Sequence, residues 1–205
     1  MSDEREHPLF SHRVVPLASI SDPGVVDAIG DGLVSGGLPV VEVALRSDFG
    51  LPALRRLADR GDILVGAGTV LSIDQARDAI DAGAAFIVTP GLDLEVVKYV
   101  RGANLPIVPG VLTPTEIQSA RAAGLTRVKL FPAGVFGGVA LIEAYSAVFR
   151  DVKFMPSGGV GPANLAAHLA HPAVFAVSGS WIVQPAAQGA SAVAERAREA
   201  VGASS

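Results

Sequence analysis

Apolar and polar positions along this chain follow two rhythms. Short runs rich in Val, Ile and Phe alternate with longer Ala-rich segments whose apolar residues recur every three or four positions, the periods of strand and helix. The runs are RVVPLAS from Arg13, PVVEVAL from Pro39, ILVGAG from Ile63, FIVTP from Phe86, PIVPG from Pro106, RVKLF from Arg127, VKFMPSG from Val152 and VFAVSGS from Val174. Their starts recur about every 20 to 25 residues, the length of one strand–helix unit. Helix starts lie between them. Thr113, Pro114, Thr115 and Glu116 place a capping hydroxyl, a proline in the first turn and an acid at the third position. Ser72 with Gln75 fits a capping box opening SIDQARDAIDAG, which ends in Gly83.

Eight such units predict an α/β fold, a single (β/α)₈ TIM barrel over residues 13–205 preceded by a polar N-terminal extension over 1–12. An open doubly wound sheet is the alternative. Alternation of small and large residues within the strands favours the layered interior of a barrel. In a barrel the chemistry sits at the C-terminal strand ends, and the unusual residues gather there: Arg46, Gly66 to Thr69, Thr89-Pro90, Pro109-Gly110, Phe131-Pro132, Ser157 to Gly159 and Ser178 to Ser180.

Composition narrows the classes. Half of the 205 residues are hydrophobic and 18% are charged, enough apolar material for one sizeable core. The net charge is −4 and no basic run exceeds the Arg55-Arg56 pair, which argues against nucleic acid as a partner. The absence of Cys removes disulfides, thiolate nucleophiles and Cys-ligated metals. The first dozen residues have no apolar core of a secretory signal, and Gly, Pro or a charge interrupts every apolar run before it reaches the length of a membrane span. A soluble cytoplasmic protein is the expectation.

Side-chain alternation in VVEVALR puts Val41, Val43 and Leu45 on the face toward helices, and Glu42, Ala44 and Arg46 toward the barrel interior. In RVKLF, Val128 and Leu130 face outward, while Arg127, Lys129 and Phe131 face inward. The second and sixth strands are both even, so their inward residues feed the same interior layers. Of the three lysines, Lys98 reads as solvated, Lys153 starts a strand at the far end, and only Lys129 combines a C-terminal strand end with apolar neighbours. Desolvation lowers the pKa of such an amine, which can then attack a carbonyl and form a Schiff base. The iminium is an electron sink for cleaving a neighbouring carbon–carbon bond, and Glu42 is the inward carboxylate able to shuttle protons. A buried Lys–Glu pair with no catalytic task is the competing explanation.

Arg46 carries a planar fork suited to a carboxylate or phosphate, or is an ordinary solvent-facing arginine at a strand end. PSGGVGPAN and VSGSW close the last two strands with Gly-rich turns, and a helix starting near Pro162 would aim its dipole at an anion there. GAGTVL imitates a dinucleotide fingerprint, but Leu71 stands where the third glycine belongs, which argues against that fold. His7, His12, His168 and His171 show no metal-ligand setting, and His168 and His171, near a helix end, are expected to be exposed. No metal and no cofactor is expected.

EVALR, GAGTV, TPG, PGV, VKLFPA, PSGGV and SGSW, in this order and spacing, resemble the 2-keto-3-deoxy-6-phosphogluconate (KDPG) aldolase family, which includes 4-hydroxy-2-oxoglutarate aldolases. The resemblance runs from about Arg13 to the C-terminal helix. It implies a metal-free class I aldolase with a (β/α)₈ barrel, usually a homotrimer, that cleaves a 2-keto-3-deoxy sugar acid to pyruvate and an aldehyde. By position Lys129 resembles the Schiff-base lysine and Glu42 the general acid–base residue. Arg46 and Thr69 resemble the groups holding the pyruvate carboxylate, and Pro90 and Phe131 the walls beside the imine. Gly158, Gly159, Gly179 and Ser180 resemble phosphate-side contacts. Ser157 stands beside the substrate's hydroxylated carbons, where members often carry Thr. Ser19 ends the first strand, where some carry Arg.

Overall fold

The computed structural model describes residues 7–203, and in it the apolar runs become parallel strands. They are β1 (Val14–Ala18), β2 (Val40–Ala44), β3 (Leu64–Gly68), β4 (Phe86–Val88), β5 (Ile107–Val108), β6 (Gly110–Val111), β7 (Arg127–Leu130), β8 (Lys153–Pro156) and β9 (Val177–Gly179). Hydrogen bonding joins them in the orders β5-β4-β3-β2-β1-β9 and β6-β7-β8. Two seams unite these groups. PIVPG forms one stave broken at Pro109, which has no N–H for the ladder but accepts the Lys129 N–H at 2.8 Å. At the other seam Phe154 bridges Val174 and Ser157 bridges Ser178, linking β8 to β9. The eight expected strands thus close as the staves of a (β/α)₈ barrel.

The helices are α1 (Val26–Ser35), α2 (Gly50–Ala58), α3 (Ile73–Asp81), α4 (Leu94–Gly102), α5 (Pro114–Ala122), α6 (Val139–Val148), α7 (Leu165–Leu169) and α8 (Ala190–Gly202). Outward strand residues such as Val41, Val43 and Val128 are fully buried between barrel and helices. The last helix closes the outer ring on the first. A Cβ on Gly32 would lie 2.5 Å from the Val193 Cβ, and one on Gly36 would lie 2.5 Å from the Ala197 Cβ, so only glycine lets α1 and α8 approach this closely. Among the described residues no helix is long and apolar enough to cross a membrane.

Two local expectations change. The Ser72 hydroxyl accepts the Gln75 N–H, but the Gln75 side chain accepts from Leu71 N at 2.7 Å, so the reciprocal half of the cap reaches one residue further back. The helix expected near Pro162 starts at Leu165 and runs five residues, too short to aim a dipole at a ligand. Asn164 explains the delay, since its side chain accepts from Gly161 N and donates to Gly159 O, bracing a loop instead of opening a helix.

The polar extension expected over 1–12 is, in its described part, a packed segment. Pro8–Ser11 form a 3₁₀ turn whose Leu9 is 1% exposed. Phe10 sets its ring edge-on to Phe175 at 5.9 Å, and the Arg127 guanidinium lies 4.3 Å from the Phe10 ring centroid. Arg127 begins β7, so this stack covers the N-terminal end of the barrel, opposite the expected chemistry.

Candidate active site

β2 and β7 are not neighbours in the sheet, so inward side chains from them meet only across the barrel interior. Glu42, the third residue of β2, is fully buried, and Lys129, the third of β7, is 2% exposed. The Lys129 Nζ donates to the Glu42 Oε1 at 3.2 Å. Moving each charge from water into a low-dielectric interior is strongly unfavourable, and their mutual attraction offsets much of that only at contact. With side chains 3% and 0% exposed, the pair is almost wholly removed from water.

The carboxylate has a second partner that strand reading passed over. Ser178 of β9 is fully buried, and its Oγ donates to the Glu42 Oε2 at 3.2 Å. β9 is the eighth stave, so Glu42, Lys129 and Ser178 all come from even staves and share one layer. The same alternation rule, applied to VSG, is the signal that identifies Ser178. Gly68 completes the nest, because a Cβ there would sit 2.2 Å from the Glu42 Oε1 and 2.6 Å from its Cγ.

Around this centre most expected residues converge. The Phe131 ring centroid is 5.5 Å from Lys129 Nζ. Gly110 pairs with Lys129, and a Cβ on Gly110 would strike the Pro90 carbonyl at 2.2 Å, which seats Pro90 beside the lysine's strand. Gly158 and Gly159 take φ of +80° and +83°, left-handed backbone that favours glycine. The Gly134 N–H donates to Gly158 O and the Ala133 N–H to Ser157 O, which stitch the loop after β7 to the loop after β8. Ser157 is buried and bridges Ser178, bringing Gly179 and Ser180 to the same corner.

Arg46 differs from its expected inward orientation. It lies beyond Ala44, the last residue of β2, and is exposed on the rim, where strand alternation no longer governs direction. Its Nε donates to the Thr69 Oγ1 at 3.0 Å. Thr69 holds φ of +59°, a strained conformation for a β-branched residue and one that clusters at functional sites. A pocket of about 360 Å³ flanks Arg46 on its outer side, lined also by Asp48, Gln75 and Asp78, and neither Glu42 nor Lys129 borders it. His168, expected to be exposed, is 3% exposed, its Nδ1 2.9 Å from Asn164 O. α7 turns it inward against Gly138, whose Cβ would lie 3.2 Å from its Nε2.

The arrangement pairs a buried amine with a buried carboxylate at the C-terminal end of a barrel, with hydroxyls and a guanidinium above them. It can hold an imine and move a proton beside it. Comparison with known proteins points the same way. A sequence model described as KDPG and KHG aldolase matches residues 6–196. The 2-dehydro-3-deoxy-phosphogluconate aldolase of Pseudomonas aeruginosa is 41% identical over 175 residues, covering 85% of this chain and 80% of that one. The crystal structure of the 2-keto-3-deoxy-6-phosphogluconate aldolase of Zymomonas mobilis with 3-phosphoglycerate superposes with a TM-score of 0.91 at 33% identity, over 97% of this chain and 96% of that one. The KDPG aldolase of Legionella pneumophila, with pyruvate captured as a covalent carbinolamine intermediate, gives 0.89 at 33% identity, over 93% and 95%.

Proposed function

The chain belongs to the KDPG and KHG aldolase family, and from that premise we propose that Lys129 and Glu42 carry the reaction of a class I aldolase. The enzyme is a carbon–carbon lyase that reversibly cleaves 2-keto-3-deoxy-6-phosphogluconate to pyruvate and glyceraldehyde 3-phosphate. The observation that carries the residue assignment is the 3.2 Å contact between Lys129 Nζ and Glu42 Oε1, with side chains 3% and 0% exposed.

In this reading Lys129 passes a proton to Glu42 and its neutral amine attacks the C2 carbonyl of the substrate, giving a carbinolamine. Glu42 then delivers that proton to the hydroxyl, which leaves as water, so that the nitrogen remains an iminium and Glu42 a carboxylate. Glu42 takes the proton of the C4 hydroxyl. The C3–C4 bond breaks, its electron pair passes to C3 as the enamine of Lys129, and the aldehyde leaves. Glu42 returns the proton to C3, and water releases pyruvate and the free amine. Arg46, with Thr69 beside it, offers a fork to the carboxylate at C1. Pro90 and Phe131 wall the imine, Ser157 faces the hydroxylated carbons, and Gly158, Gly159, Gly179 and Ser180 receive the phosphate. Ser157 keeps the hydroxyl of Thr without its methyl, which leaves a roomier pocket at those carbons.

Residues 13–205 form the aldolase unit in this reading, working in the cytoplasm as a homotrimer in the Entner–Doudoroff branch of carbohydrate metabolism, without metal or cofactor. Exposed Phe49, Leu71, Leu94 and Phe136 support association of copies, since all four follow strand ends and leave apolar surface in water. The test is borohydride reduction in the presence of pyruvate, then peptide mass spectrometry. A reduced pyruvyl adduct on the peptide containing Lys129 is expected. Folded protein without that adduct would leave the Lys129–Glu42 pair a structural charge pair.

A further inference from the structure

Glu42 is held from two sides, and only the bond to Ser178 comes from a group that the reaction leaves chemically unchanged. The Lys129 Nζ reaches the Glu42 Oε1 at 3.2 Å, while the Ser178 Oγ reaches Oε2 at 3.2 Å. Once Lys129 becomes an iminium its nitrogen keeps a single N–H, whose direction is set by the plane of the C=N bond and by the substrate, so that contact no longer fixes the carboxylate independently of the substrate. The terminal torsion of a glutamate is broad and roughly two-fold, so a carboxylate without a fixed partner would turn. We propose that Ser178 is the positioning residue that keeps the Glu42 carboxylate aimed at the substrate carbons while Lys129 is occupied as the imine.

Three features of the site support this assignment. Ser178 is fully buried on the even layer of the barrel with its hydroxyl turned to the carboxylate, so the bond is made in a dry interior where a charge-assisted hydrogen bond is strong. Ser178 is pinned on both sides, paired with Val15 of β1 and bridged to Ser157. Its Oγ therefore stands on rigid backbone while the lysine side chain moves. Finally, Gly68 lets Glu42 lie against β3 but offers the carboxylate no side-chain partner, so its side-chain bonds are those to Lys129 and Ser178.

The proposal rests on the aldolase reading, and the test separates the two. Pyruvate alone suffices. As the imine forms, Glu42 removes a methyl proton, the C–H pair becomes the enamine double bond, and return of a solvent deuteron labels the methyl group. In Ser178→Ala, borohydride trapping of pyruvate on Lys129 should stay within about twofold of wild type, while methyl deuteration slows roughly tenfold, the size of one hydrogen bond to a charge. Pyruvate KM should stay unchanged and Ser178→Thr should restore exchange. In a Glu42→Gln background the same Ser178→Ala change should have no further effect. Deuteration unchanged in Ser178→Ala, or slowed equally in the Glu42→Gln background, would overturn the proposal. If Ser178→Ala fails to fold by circular dichroism, Ser178→Gly is read the same way. Wild-type protein that traps no pyruvate would instead remove the aldolase reading, and the positioning role with it.

Discussion

At the scale of single residues, the site is assembled by what Gly68 and Thr69 allow. Gly68 gives up a side chain so that Glu42 can lie against β3, and Thr69 accepts a left-handed backbone of φ +59° that brings its hydroxyl to Arg46. Gly68→Ala should displace the carboxylate, because the new Cβ would lie 2.2 Å from its Oε1. A misplacement of that order lowers kcat by about a hundredfold. Steady-state kinetics on the variant, with borohydride trapping on Lys129 retained, checks it. Glu42 and Lys129 were legible in the sequence because both sit inside strands, where direction alternates strictly. Arg46 was legible as a candidate fork but its direction was not, since it stands past the strand end, exposed, with its Nε donating to Thr69.

At the scale of elements, the caps decide where each helix leaves the barrel. Thr113 and Glu116 form a full capping box on α5, with the Glu116 Oε2 accepting the N–H of Leu112 and of Thr113 at 2.8 Å each. Burial alone would raise the Glu116 pKa, but these two bonds and one from the Thr113 hydroxyl outweigh it and leave the carboxyl below its ordinary value. The unfolded chain therefore takes up the proton first as pH falls. The stabilisation is complete at neutral pH and disappears as pH drops through the carboxylate range to the folded value. Thr113→Ala should lose about 1 kcal/mol at pH 7. Glu116→Gln should destabilise at pH 7 and converge with wild type in acid, both read from urea unfolding at several pH values. This box was written in four consecutive residues. The short α7 was not, because Asn164 has two uses and only the loop after β8 shows that bracing Gly159 and Gly161 prevails over starting a helix.

At the scale of the whole molecule, the two ends of the barrel divide the work. The C-terminal end carries the charged pair, and the N-terminal end is sealed by Leu9, Phe10, Phe175 and Arg127. Leu9→Ala should cost about 2–4 kcal/mol, lowering Tm by roughly 5 to 15 °C for a domain of this size. kcat at 25 °C should be nearly unchanged, so a thermal melt beside a kinetic assay checks the division. A change in kcat as large as the change in stability would show the ends to be coupled. The polar look of residues 1–12 hid this seal, since its apolar contribution is one leucine and one phenylalanine whose partners lie far along the chain. By itself the sequence determined the number of staves, their order and the inward direction of Glu42 and Lys129, because hydrophobic period and strand alternation are local and repeat over every unit. Closure decided the rest. Which staves face across the interior, that Ser178 meets Glu42, and that the N-terminal turn covers the far end all depend on contacts between residues more than eighty positions apart, which no local period encodes.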